Sequence, residues 1–173
     1  MERTRRQMLL PFAFSATIIA VDQVTKALVV AFIEPGRIAF SALGDFFWLV
    51  RQQNLGMAFS LLDNLPPIIR LPVLILLPLA LVIFVIVFYF TSDEITSFQR
   101  WTLCGIVGGG LGNVIDRVFR AEGVVDFLSF KFYGLFGLER WPTYNVADAS
   151  VVVSVALLAL STIVMEVRRG KAS

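Results

Sequence analysis

The chain has 173 residues, 57% of them hydrophobic and 16% charged, with a mean hydropathy of +0.79. Soluble domains carry about 25% charged residues, so this is a membrane protein, long enough for one compact domain of a few spanning helices. The net charge is +2 and basic residues gather at both termini (Arg3, Arg5, Arg6; Arg168, Arg169, Lys171), a pattern of cytoplasmic anchors and not of a nucleic-acid surface, while the absence of histidine excludes Ser-His and Cys-His nucleophiles and histidine-bound zinc.

The N-terminal stretch to Val21 has the basic and apolar regions of a secretory signal. No small-residue cleavage site follows it. Asp22-Gln23-Val24-Thr25-Lys26 continues the apolar pattern instead, which predicts an uncleaved first span over about 8–33. Asp22 and Lys26, four residues apart, share a helix face and can pair, lowering the cost of both at membrane depth. A structural ion pair and support for a site are both open. Glu34-Pro35-Gly36 ends the helix. From Arg37 to Pro67 the chain reads as extramembrane, with a strand at Phe46–Val50 and a turn at Asn54-Leu55-Gly56 that feeds another apolar stretch through Phe59. The second span is expected over 68–90. Its uncharged core, Leu71 to Phe90, measures ~30 Å at ~1.5 Å per residue, about one hydrocarbon thickness, with Pro72 and Pro78 as kink points.

A polar connection from Thr91 to Arg100 leads to a third span over 101–119. Gly105, Gly108, Gly109 and Gly112 include two GxxxG spacings and predict close helix approach, and Cys104 among them reads as a packed thiol. Asn113, Asp116 and Arg117 interrupt the apolar register at i, i+3 and i+4, on one helix face. Val124–Phe132 alternates imperfectly and reads as a strand at the membrane surface carrying Asp126, followed by a loop over 134–142. The fourth span, 143–167, opens on Tyr144-Asn145-Val146-Ala147-Asp148. Four spans place both termini on one side. The terminal basic clusters make that side cytoplasmic, leaving Asp126 and Asp148 near the outer face.

An ionisable side chain at bilayer depth costs roughly 2.5–3.5 kcal/mol, so two polar interruptions near one face, each with an asparagine and an aspartate, point to a site. The competing reading is a buried polar network that only fixes helix packing. With two carboxylates and no histidine, the chemistry at hand is acid-base activation of water. The pair shares one proton; one member deprotonates the water while the other protonates the carbonyl oxygen and later the leaving amine. No metal or organic cofactor is called for. A second reading is a small ion or proton transporter, with Asp22, Lys26, Asp116, Arg117 and Asp148 lining a path. A third is a Ser-Lys peptidase using Lys26 or Lys131, for which no serine is placed by motif.

Gly112-Asn113-Val114-Ile115-Asp116-Arg117, Val124-Val125-Asp126-Phe127 and Asn145-Val146-Ala147-Asp148 resemble the signature of the lipoprotein signal peptidase (signal peptidase II) family. Asp22–Lys26 and Asn54–Phe59 resemble two earlier blocks of that family, in the family's order over the whole chain. The resemblance implies an α-helical membrane protein with four transmembrane helices and a small extracytoplasmic β-cradle, forming one domain in the bacterial cytoplasmic (inner) membrane. It implies an aspartic endopeptidase that removes the signal peptide of prolipoproteins just before a diacylglyceryl-modified cysteine. Asp126 and Asp148 become the catalytic dyad. Asn54, Asn113, Arg117 and Asn145 become supporting or substrate-contacting groups, Asp22 and Lys26 a supporting pair, and Gly109 and Asp116 fall in the same supporting set. The resemblance also implies membrane lipids as surroundings and inhibition by globomycin-type cyclic peptides. Against the family's pattern, the stretch from Phe130 to Trp141, between the two aspartates, looks extended.

Overall fold

The structure, a computed structural model, describes residues 5–54 and 66–171. The first span comprises helix α1 (Arg5–Leu9) and helix α2 (Phe12–Phe32). The break falls at Leu10-Pro11, because Pro11 has no N–H to continue the helical ladder. Strands β1 (Ile38–Ala42) and β2 (Phe47–Asn54) follow, then helix α3 (Pro67–Thr91), helix α4 (Ser97–Phe119), strand β3 (Val124–Phe130) and helix α5 (Val146–Gly170).

Among the described residues, three helical stretches are long and apolar enough to cross a membrane: Arg5–Phe32, Ile68–Thr91 and Val146–Gly170. Helix α4 has a comparable length of 23 residues but is lowered in hydropathy by its glycines and polar groups. It packs against α2, α3 and α5 together. A helix screened by its neighbours needs no lipid-facing apolar surface, so it can carry the polar residues that the outer helices cannot. The outer helices show the reverse, with Leu76, Phe84 and Val152 among many exposed apolar side chains. The protein is thus a multi-pass α-helical membrane protein with a small antiparallel sheet.

Helix α4 begins four residues before the expected Trp101. Thr96 and Gln99 form a capping box, the Thr96 hydroxyl accepting from the Gln99 N–H and the Gln99 side chain accepting from the Thr96 N–H, which starts the helix inside what reads as a polar connection. Arg100, counted by sequence as a loop charge, is buried instead. It donates to the carbonyls of Tyr89 at 2.7 Å and Ser92 at 3.1 Å and lies over the Tyr89 ring, so it closes the C-terminal carbonyls of α3.

The sheet has the order β1-β2-β3, antiparallel throughout. Sequence located β3 and the first part of β2; β2 runs on to Asn54, which stands opposite Val124, while Gln52 stands opposite Asp126. Strand β1 had no sequence signal, since most of its residues are exposed and none alternates with a buried partner. The turn read at Leu55–Phe59 lies outside the described residues. Val29 and Ile33 of α2 pack against Val125 and Phe127 of β3, which fixes the sheet on the end of the bundle where α2 and α4 finish and α5 begins. Arg5 and Lys171 therefore lie at the opposite end.

Candidate active site

Helix α5 is started by Asn145, whose backbone is extended (φ −127, ψ −173). Its Oδ1 accepts from the Asp148 N–H at 2.9 Å, and Asp148 Oδ2 accepts from the Asn145 N–H at 3.2 Å. This reciprocal cap holds the Asp148 carboxylate in the first turn, where unpaired N–H groups and the helix dipole favour negative charge. The Ala147 N–H, another donor of that turn, is taken by Asp22 Oδ1 at 2.9 Å, so α2 and α5 are tied at the same point.

The amide of Asn145 does a second task. Its Nδ2 donates to Asp126 Oδ1 at 2.7 Å and to Asn113 Oδ1 at 3.1 Å. Asn113 Nδ2 in turn donates to Asp148 Oδ1 at 2.7 Å, and Asn54 Nδ2 donates to Asp126 Oδ2 at 3.1 Å. Two carboxylates from different elements, β3 and α5, are thereby held through two shared asparagines. Asp126 is only 3% exposed, and Asp148 is half-buried. Burial pushes the Asp126 carboxyl up to about 7, and the charge of Asp148 pushes the same way; the hydrogen bonds from Asn54 and Asn145 and the Lys26 charge oppose it. A carboxyl poised there holds or releases a proton near neutral pH.

Behind the asparagines lies a fully buried ion cluster. Lys26 Nζ is 2.7 Å from Asp22 Oδ2, 2.8 Å from Asp116 Oδ2 and 2.9 Å from Asn113 Oδ1, so all three ammonium donors are engaged. The sequence pair Asp22–Lys26 is therefore part of a larger cluster, with Asp116 facing Lys26. Arg120 closes it at 3.0 Å from Asp116 Oδ1. Because Lys26 occupies the oxygen side of the Asn113 amide, the NH₂ side is directed to Asp148.

Residues 14–164 match the family model described as signal peptidase (SPase) II. The chain belongs to the signal peptidase II family. The lipoprotein signal peptidase of Treponema denticola is 43% identical to it over 96% of both chains. That of Treponema pallidum is 38% identical over 95% of this chain and 88% of its own. The Borreliella burgdorferi protein of the same name is 43% identical over 84% and 85%. Two solved structures described as bacterial membrane enzymes share the fold, with TM-scores of 0.75 and 0.73 at 23% and 24% identity over 89% and 88% of this chain. They cover 87% and 92% of those chains. The transporter reading gains no support from these relatives.

Within this signal peptidase II chain, Asp126, Asp148, Asn54, Asn113 and Asn145 converge as the sequence predicts. Arg117 stands beside them, one guanidinium nitrogen donating to the Asn113 carbonyl at 3.2 Å and its Nε buried without a hydrogen-bond partner among the described residues. Gly109 contributes no polar group; a Cβ there would fall on the Ala147 carbonyl oxygen and lie 2.7 Å from Val151 Cγ2. At Gly112 it would lie 2.8 Å from Asp22 Oδ2. Both glycines let α5 and α2 approach α4 closely enough to assemble the site. Gly109→Ala must displace the α5 backbone beside Asp148, and we expect about 10–100-fold lower turnover per folded enzyme, as for a catalytic group misplaced by about 1 Å. Unchanged turnover in the purified variant would show that the helix spacing is not critical.

Two contributors were not singled out from sequence. Gln23 Nε2 lies 3.1–3.2 Å from Asp22 Oδ2, the Gly112 carbonyl and Asp116 Oδ1. The other is Arg120, paired with Asp116. Their signals were present: a second polar residue beside Asp22 in an apolar run, and a cation four residues after Asp116.

Proposed function

We propose that this chain hydrolyses the peptide bond before the diacylglyceryl-modified cysteine of prolipoproteins, by a water activated between Asp126 and Asp148. The observation that carries the reading is the pair of carboxylates from β3 and α5, joined through Asn145 and Asn113 and placed where apolar helices meet the sheet. Asp126, the more buried of the two, holds the shared proton. Asp148 takes a proton from water as its oxygen attacks the carbonyl carbon, and Asp126 gives its proton to the carbonyl oxygen. In collapse of the resulting gem-diol, Asp148 returns its proton to the leaving nitrogen. The C–N bond breaks, and Asp126 recovers a proton from one hydroxyl, which restores the starting pair. Arg117, half-buried beside the dyad, brings a cation toward a substrate carbonyl. Globomycin-type cyclic peptides would compete for this site.

The enzyme belongs, on this reading, in the bacterial inner membrane with the sheet and dyad at the periplasmic face. Arg5 and Arg6 before α2 and Arg168, Arg169 and Lys171 at the end of α5 sit at the other end of the bundle, as cytoplasmic anchors do. The test is incubation of the purified protein in detergent with a diacylglyceryl-modified prolipoprotein, scored by gel shift. Cleavage is expected, and the unlipidated precursor should be cut far more slowly because the anchor supplies the positioning. No cleavage of the lipidated precursor, or equal rates on both, would contradict the proposal.

A further inference from the structure

The segment between the two aspartates forms a pinned hairpin. After β3 the chain turns back so that Lys131 bridges Arg140, the Phe132 N–H donates to the Glu139 carbonyl at 2.8 Å and the Trp141 N–H donates to the Phe130 carbonyl at 2.9 Å. Its base is fixed to the first hairpin. The Arg140 guanidinium lies 3.4 Å from the Trp48 ring centroid and donates to Ser129 Oγ at 3.0 Å and to the Asp45 carbonyl at 2.9 Å. Lys131 reaches Asp45 Oδ2 at 3.2 Å.

The tip is a 3₁₀ turn, Leu135–Gly137, that leaves Tyr133, Leu135 and Phe136 exposed, Phe136 by 82%. Tyr133 (φ 53) and Phe136 (φ 56) sit in the left-handed region, which bulky residues adopt only when the surroundings impose it. The pinned base and paired arms impose it here. A rigid support thus presents apolar side chains that the described residues leave largely exposed.

We propose that this hairpin is a lipid-interface anchor, with Tyr133, Leu135 and Phe136 entering the headgroup–acyl boundary of the leaflet in which α2 and α4 end. Three observations favour lipid. Trp141 is four residues from Asn145, the first cap of an apolar helix, and four residues span at most ~14 Å, which keeps the base of the hairpin near headgroup depth. The last residues of α2 and α4, Phe32 and Phe119, are exposed aromatics at the end of the bundle that carries the sheet, as residues at a membrane interface are. Lys131 at the base, paired with Asp45 yet 30% exposed, sets a cation where this placement puts lipid phosphates. Such an anchor fixes the depth of the sheet, and with it Asp126, relative to a substrate held by its own acyl chains.

The test uses the full-length protein with Phe136→Cys, labelled with an environment-sensitive fluorophore and placed in nanodiscs of phosphatidylethanolamine and phosphatidylglycerol. Cys104 is fully buried and stays unlabelled. Quenching by a lipid carrying a nitroxide near its headgroup should exceed quenching by aqueous iodide several-fold; iodide quenching equal to or greater than lipid quenching overturns the proposal. A second variant, Tyr133→Ser/Leu135→Ser/Phe136→Ser, should cut a lipidated precursor several-fold more slowly than wild type in nanodiscs and at the wild-type rate in detergent. Equal loss in both media would mean that the hairpin contacts substrate, and would also overturn it. The inference rests on the membrane placement, and the quenching measurement needs no catalysis, so it stands or falls apart from the peptidase reading.

Discussion

Asp126→Asn and Asp148→Asn are each expected to lower cleavage by about 10²–10⁴-fold, the range for loss of a general acid or base, while leaving a protein that folds. An amide keeps the shape and some of the hydrogen bonds of the carboxylate but neither takes the water's proton nor donates a carboxyl proton. Asp148→Asn retains one oxygen for either the Asn113 amide or the Asn145 N–H, so it loses one accepted bond, worth about 0.5–1.5 kcal/mol against a total stability of about 5–15 kcal/mol. Because the pair acts as a unit, the double variant should be little worse than either single one. Chelators should leave the rate unchanged, since in the proposed mechanism carboxylates activate the water. Stability gives a second readout. A carboxyl whose pKa rises on folding binds its proton more tightly in the folded state, so wild type loses stability as pH climbs from the usual value of about 4 through about 7. Asp126→Asn carries no such proton, so its Tm relative to wild type should rise across that interval. Parallel Tm–pH curves, or substantial cleavage by either variant, would count against the dyad.

Lys26→Met is expected to have the largest effect on folding. With the side chains of Lys26, Asp22 and Asp116 all 0% exposed, removing the cation leaves two buried carboxylates facing each other, at a cost of about 3–5 kcal/mol. Asp22→Asn/Lys26→Met removes one charge of each sign and leaves Asp116 with Arg120, so it should recover folded yield relative to Lys26→Met alone. Its activity should remain low. Without the ammonium, Asn113 Oδ1 keeps only the bond from Asn145 Nδ2, and the hold that directs its NH₂ to Asp148 is weakened. Size-exclusion yield and Tm of the two variants, with turnover per folded molecule, check this. A Lys26→Met protein with wild-type Tm would remove the cluster from the account.

The two aspartates proposed as the dyad were legible because charge inside an apolar register is costly and therefore conspicuous: Asp126 and Asp148 stand out against their surroundings in the chain itself. What the chain did not reveal is how they are joined. Asn145 reads as a helix cap and is one, but its Nδ2 bond to Asp126 depends on β3 lying across the start of α5, a tertiary fact. Asn54 reads as a turn residue and is the last residue of β2, since its pairing with Val124 continues the strand past the aromatic run. Asp22 and Lys26 read as a pair because periodicity sees only one helix; Asp116 and Asn113 join them from α4. Arg100 shows the same limit from the other side, a charge assigned to a loop that finds its partners in the end of the preceding helix. Strand β1 gave no pattern because an exposed edge strand has no buried face to impose alternation.

The most direct test of the central claim is the pH dependence of kcat/KM on a lipidated precursor in detergent. If Asp126 and Asp148 work with one shared proton, and burial sets the Asp126 carboxyl at about 7, the rate must fall on the alkaline side as that proton is lost. The account predicts a bell-shaped profile whose upper limb turns down near pH 7. A rate that stays level or keeps rising from pH 6 to pH 9 would contradict it.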